Sequence, residues 1–157
     1  MIKHSETKYL RYSSNQMFDL VADIESYPYF IPWCSRVKIV SRIKDELKKI
    51  DIVQADMSVS FKVFNETFSS RVSLDRLSSE ISVEYLAGPF KFLNNKWNFN
   101  RVETGCKVDF YVEFEFKSRI LQRLIGVVFN EAMRRIVLSF EKRAHDLYSN
   151  NYINKIN

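Results

Sequence analysis

Few side chains in this sequence could do chemistry. Its two histidines are His4 and His145, and its two cysteines are Cys34 and Cys106. A thiol nucleophile needs a neighbouring base, and no histidine is evident as a partner for Cys34. His4 lies beside the N-terminus. His145 falls in the last turns of a helical pattern, where the helix dipole favours a cation, so capping is its expected role. The cysteines form no CxxC or Cys/His cluster, so they read as free thiols and no metal is expected. Glu113 and Glu115 alternate with phenylalanines and read as solvated, not as an acid/base pair. No GxSxG, P-loop, GxGxxG or HExxH occurs. A binding protein without a cofactor is expected, not an enzyme.

The strongest pattern is apolar periodicity. From Ser118 to Ser149, apolar residues recur in steps of three and four: Leu121, Leu124, Ile125, Val128, Ala132, Ile136, Val137, Phe140, Ala144 and Leu147. That spacing predicts one long amphipathic helix, about 45 Å in length at the usual rise. Its other side carries Arg119, Arg123, Arg134, Arg135, Lys142 and Arg143. This basic face reads as a solvated surface or as a patch for phosphates of rRNA or lipid.

Upstream the period is two. Ser5 to Tyr12 predicts a first strand. Ser13 or Ser14 can cap a short helix ending near Asp23. A second short helical piece, Ile24 to Phe30, is interrupted by Pro28 and ended by Pro32. Alternating stretches follow. Val53, Ala55, Met57, Val59 and Phe61 share one face. Phe68, Ser70, Val72 and Leu74 share the next, then Ile81, Val83 and Tyr85, then Trp97 and Phe99. Val108, Phe110, Val112, Phe114 and Phe116 form the cleanest alternation. Short turns between such strands predict an antiparallel meander. An apolar sheet face needs a cover. The expectation is an α+β fold: six to seven curved antiparallel strands wrapped around the C-terminal helix, with two short helices after the first strand. Residues 1–149 are expected to form this unit and 150–157 a flexible tail.

The inward set is large and aromatic. Periodicity does not choose between a sealed core and a tunnel. The stretch Tyr27-Pro28-Tyr29-Phe30-Ile31-Pro32-Trp33-Cys34 reads either as a plug closing one end or as a lid, since Tyr and Trp suit a boundary between apolar and wet surroundings. At 46% hydrophobic and 27% charged, the composition is that of an ordered globular chain. Its net charge of +5 mildly favours acidic partners such as RNA, ribosomes or anionic lipid. No apolar run approaches the ~20 residues of a membrane span, and the N-terminus lacks the apolar region of a signal peptide. A cytoplasmic location is expected, with peripheral contact at the inner face of the membrane open to it.

Several segments together resemble one family. They are Tyr27 to Cys34, Gly88-Pro89-Phe90-Lys91-Phe92-Leu93 with Trp97 and Phe99, Phe114-Glu115-Phe116, and Phe129, Phe140, Arg143-Ala144 and Leu147-Tyr148. From about Lys8 to Tyr148 the chain resembles the coenzyme Q-binding and ribosome-association toxin (RatA-type) branch of the START-like (SRPBCC) helix-grip superfamily. That branch is also described as oligoketide cyclase/lipid transport or polyketide cyclase/dehydrase. The resemblance implies a ligand-holding module, not a catalyst. It implies a carrier or chaperone for ubiquinone or a related polyprenyl lipid, supporting respiratory electron transport. The tunnel walls would be Phe61, Phe68, Trp97, Phe99, Phe110, Phe114, Leu124 and Val128, with Phe30, Pro32 and Trp33 as lid. The alternative it implies is a toxin that binds the large ribosomal subunit and blocks subunit association, with Arg123, Arg134 and Arg135 as the contact face.

Overall fold

The computed structural model describes residues 1–62 and 64–149. The segment 150–157, expected as a tail, lies outside the described residues. In chain order the elements are β1 (Ile2–Leu10), α1 (Ser14–Ala22), a 3₁₀ segment (Ile24–Tyr29), β2 (Cys34–Asp45), β3 (Ile50–Phe61) and β4 (Phe64–Asp75). They continue with β5 (Glu80–Ala87), β6 (Phe90–Val102), β7 (Gly105–Phe116) and α2 (Arg119–Ala144), then a π turn over His145–Ser149. The seven strands form one antiparallel sheet, ordered β1-β7-β6-β5-β4-β3-β2. Consecutive strands from β2 to β7 pair as a meander, and β1 closes onto β7.

Local chemistry explains most of the boundaries. Ser13 caps α1 reciprocally: its hydroxyl accepts from the Gln16 N–H at 3.0 Å, and its own N–H donates to the Gln16 side chain at 2.9 Å. Ser118 caps α2 by accepting from the Leu121 N–H at 3.2 Å. Pro28 sits inside the 3₁₀ segment rather than interrupting it, because its fixed φ near −65° suits that geometry. β1 begins at Ile2, not Ser5, because unbroken pairing with β7 from Ile2–Phe114 to Leu10–Cys106 holds the whole strand. The alternation predicts β6 over Lys96 to Val102; the strand instead starts at Phe90, since the Asn94-Asn95 run is recruited into the sheet. The long helix ends at Ala144, and the last turn widens into the π form.

The sheet is bent by irregular pairing. Register shifts occur in β2 against β3, between Ser69 and Ser70 of β4 against β5, and between Phe90 and Phe92 of β6 against β7. Such bulges bend and twist a strand. The concave face packs in two clusters. One joins α1 and the far half of α2 to the sheet through Met17, Phe18, Val21, Ile81, Phe99, Phe140 and Ala144. The other gathers Phe64, Phe90, Phe114, Phe116, Phe129 and Met133 under the near half of α2.

Two glycines test this geometry in opposite directions. At Gly105, φ is +150°, and an added Cβ would come within 2.0 Å of the Leu10 carbonyl oxygen. At Gly126, within α2, an added Cβ would meet nothing within 4 Å. Gly105→Ala is therefore expected to cost about 3 kcal/mol in urea unfolding. Gly126→Ala is expected to gain about 0.5–1 kcal/mol, since Gly is a poor helix former. Matching midpoints for the two variants would contradict this account.

Candidate functional site: an apolar cavity under the long helix

Between the two clusters lies a half-enclosed cavity of about 340 Å³. Thirty residues line it and none is charged. The sheet supplies the alternating inward residues: Ala55, Met57, Val59 and Phe61 from β3, Phe64, Phe68, Ser70 and Val72 from β4, and Ile81 and Val83 from β5. Leu93, Asn95 and Trp97 come from β6, and Phe110, Val112, Phe114 and Phe116 from β7. α2 contributes Ile125, Val128, Phe129, Ala132, Met133, Ile136 and Phe140. Val21, Ile24, Tyr27, Ile31, Trp33 and Cys34 close the end beside β2.

Six of the eight residues expected as tunnel walls line this cavity: Phe61, Phe68, Trp97, Phe110, Phe114 and Val128. The other two do not. Phe99 is 2% exposed and packs edge-on against Phe18 of α1 at 5.6 Å, so it is solid core. Leu124 is 51% exposed. The buried side of α2 centres on Phe129, Met133, Phe140 and Ala144, which turns Leu124 to the outer edge. Of the three residues expected as a lid, only Trp33 reaches the cavity. Its ring meets Phe61 edge-on at 5.1 Å, and its backbone adopts φ 66°. Phe30 instead packs against Phe140 at 5.4 Å and Tyr27 at 5.9 Å, with the Arg143 guanidinium over its ring at 5.3 Å. Pro32 is half-buried and is not among the lining residues.

Ser70, Asn95 and Cys34 line the cavity without having been singled out as wall residues. Ser70 carried a signal, because the alternation places this polar residue on an apolar face. Asn95 carried none, since it precedes the stretch whose alternation was legible. Asn95 is held in the sheet by donating to the Tyr111 carbonyl at 2.9 Å and accepting from the Trp97 indole N–H at 3.1 Å. Burial pushes the Cys34 thiol up to about 11 and raises that of Cys106. Both are therefore protonated at neutral pH, the unreactive form of a thiol. Neither histidine lines the cavity. His4 meets Glu6 at 2.9 Å, and His145 caps α2 with the Arg11 guanidinium 3.4 Å from its ring.

The outer face of α2 differs from the expected basic patch. Arg134 binds the Glu131 carboxylate through two nitrogens, at 3.1 and 2.7 Å, and Arg135 binds it at 3.0 Å. These arginines hold the Glu131 carboxyl below the usual carboxylate range. The three together therefore carry one net positive charge. Arg119 and Arg123 make no ion pair among the described residues. Beside them run three exposed apolar residues one turn apart: Ile120 at 74%, Leu124, and Val127 at 81% exposure. No helix among the described residues is long and apolar enough to cross a membrane.

Comparison with known proteins agrees with this architecture. The model of the polyketide cyclase / dehydrase and lipid transport family matches residues 10–141. The ribosome association toxin RatA of Rickettsia prowazekii is 34% identical over 151 residues, covering 94% of this chain and 99% of that protein. The mitochondrial coenzyme Q-binding protein COQ10 homolog B of Xenopus laevis is 35% identical over 151 residues. The aligned region is 94% of this chain but 59% of the frog protein. Among solved structures, an 18 kDa protein of Caulobacter crescentus superposes with a TM-score of 0.79 at 35% identity, covering 95% of this chain and 99% of that one. A Streptomyces aromatase/cyclase shares the fold, with a TM-score of 0.71 at 14% identity over 92% of each chain. The chain thus belongs to the polyketide cyclase/dehydrase and lipid transport family, in its RatA-type branch, on the START-like fold.

Proposed function

We propose that this protein is a non-catalytic carrier for a hydrophobic small molecule, ubiquinone or a related polyprenyl lipid, serving respiratory electron transport. The observation that carries the reading is the uncharged cavity beneath α2. Its volume falls at the lower end of the ~300–1,000 Å³ common for small-ligand sites. A headgroup and the first isoprenoid units would be enclosed, and a longer chain would leave through the open side. Burying each CH₂ is worth about 0.8 kcal/mol, so apolar walls alone supply affinity. The protonated Cys34 thiol and the absence of charged groups from the lining favour holding a ligand over transforming it. The COQ10-type relative, named for binding coenzyme Q, supports the choice of ligand.

A carrier of this kind must meet a membrane. The turns of α2 that put Ile125, Val128 and Phe129 against the cavity put Ile120, Leu124 and Val127 outward beside Arg119 and Arg123. Apolar residues flanked by cations complement an anionic bilayer surface. This side of α2 is the proposed contact with the inner face of the membrane.

A second reading is favoured by the RatA-type relatives, which are named for ribosome association. Here Arg123, with the Arg134–Glu131–Arg135 group, would contact rRNA of the large ribosomal subunit, and the cavity would be incidental.

Three measurements test these readings. Organic extraction of the purified protein should yield a polyprenyl quinone, and Val128→Trp should lower the yield severalfold; equal yields from the two proteins would remove the cavity from the function. Wild-type protein should sediment with vesicles containing phosphatidylglycerol but not with pure phosphatidylcholine. Leu124→Asp with Val127→Asp should abolish that binding, and retained binding would exclude this face. Under the ribosomal reading, overexpression should raise free subunits in a sucrose gradient. Arg123→Glu with Arg134→Glu and Arg135→Glu should restore the normal profile, and an unaltered profile on overexpression rules that reading out.

A further inference from the structure

Six lining residues carry a polar side-chain group: Tyr27, Trp33, Cys34, Ser70, Asn95 and Trp97. Three are already engaged. The Tyr27 hydroxyl donates to the Val21 carbonyl. The Trp97 indole N–H donates to Asn95, which in turn donates to the Tyr111 carbonyl. Cys34 is protonated and a weak donor. Ser70 stands apart. It is 5% exposed, the one buried polar residue in the described core. Its hydroxyl makes no hydrogen bond among the described residues, yet no fully enclosed side-chain oxygen or nitrogen there lacks a partner. The Ser70 oxygen is therefore not enclosed by protein, and at this position the open space beside it is the cavity.

The backbone emphasises the position. Ser70 lies on β4 opposite Ala55 of β3 and Tyr85 of β5, and the register against β5 slips between Ser69 and Ser70. Bulges of this kind re-aim side chains beside functional sites. The inward neighbours along the strand, Phe68 and Val72, are apolar. An unpaired hydroxyl among such groups is destabilising unless something in the cavity completes its hydrogen bonding.

We infer that Ser70 binds the polar end of the guest, donating its hydroxyl proton to a carbonyl or ether oxygen of the headgroup. This inference rests on the carrier reading above and narrows it. The ligand class becomes an apolar chain ending in a hydrogen-bond acceptor, not a plain hydrocarbon. The headgroup lies deep against β4, and the chain runs toward the open side. The unspent N–H of the Asn95 amide, on β6 across β5 from Ser70, is a second donor within the same wall.

The test is a pair of binding isotherms on wild type and Ser70→Ala, by displacement of an environment-sensitive dye. The ligands are a short-chain ubiquinone and an isoprenoid hydrocarbon of matched length. The variant should bind the quinone about three- to tenfold more weakly and the hydrocarbon as well as wild type or better. Ser70→Thr should retain the preference for quinone. A thermal melt separates a structural role. Removing an unpaired buried oxygen should leave the unfolding temperature unchanged or raised, so a marked fall would overturn the inference. An equal change for both ligands, or none for the quinone, would also overturn it while leaving the carrier reading standing. Wild type that binds neither ligand would sink both.

Discussion

Rigid aromatic packing at two points along α2, one near its middle and one near its C-terminal end, is the constraint on which the rest of the structure depends. Toward the C-terminal end, the Phe140 ring is met by Trp97 at 5.2 Å, Phe30 at 5.4 Å and Tyr27 at 5.7 Å. Near the middle, Phe129 meets Phe114 at 5.6 Å, and Phe114 leads on to Phe90 and Phe116. Such rings favour edge-on contacts at fixed separations and do not flatten to fill space. They hold the helix against the curved sheet at Phe129 and at Phe140 and keep it from settling deeper between them. The space between sheet and helix stays open as a result, with a volume of about 340 Å³.

The same constraint makes the walls chemically quiet. A lining without charge offers a guest apolar contact and little else, so selectivity falls to shape and to a handful of polar atoms. Half of the polar lining residues are engaged inside the protein: Tyr27 with Val21, Trp97 with Asn95, Asn95 with Tyr111. The cost of burying a negative charge keeps Cys34 a thiol. The Ser70 hydroxyl is left unpaired among the described residues, and it lies where the pairing of β4 with β5 shifts register. α2 couples the two surfaces of the molecule, because one helical turn presents Val128 to the cavity and Val127 to solvent.

Parts of this site were legible in the sequence, for identifiable reasons. Alternation on β3, β4 and β7 placed Phe61, Phe68, Phe110 and Phe114 on one face, because the side-chain period of a strand is fixed by its pleat. It does not say which inward residue meets empty space, and Phe99 is pressed against α1 while Trp97, two residues away, lines the cavity. The helical period gave a stripe wider than the surface it meets, so Leu124, at its edge, faces outward. The outer arginines read as a basic patch until Glu131, three and four residues before them, paired with both.

The sequence by itself determined the order of the elements, the inward faces of β3 to β7, a serine cap for α1 and the family. All of these rest on contacts within a few residues or on a repeating pattern. Only the tertiary structure decided that the interior holds a cavity, that Trp33 borders it while Phe30 does not, and that the Ser70 hydroxyl is unpaired. Those outcomes depend on the distance between a bent sheet and a helix held at two points. That distance is a sum over bulges and ring contacts spread along the whole chain, and no local stretch encodes it.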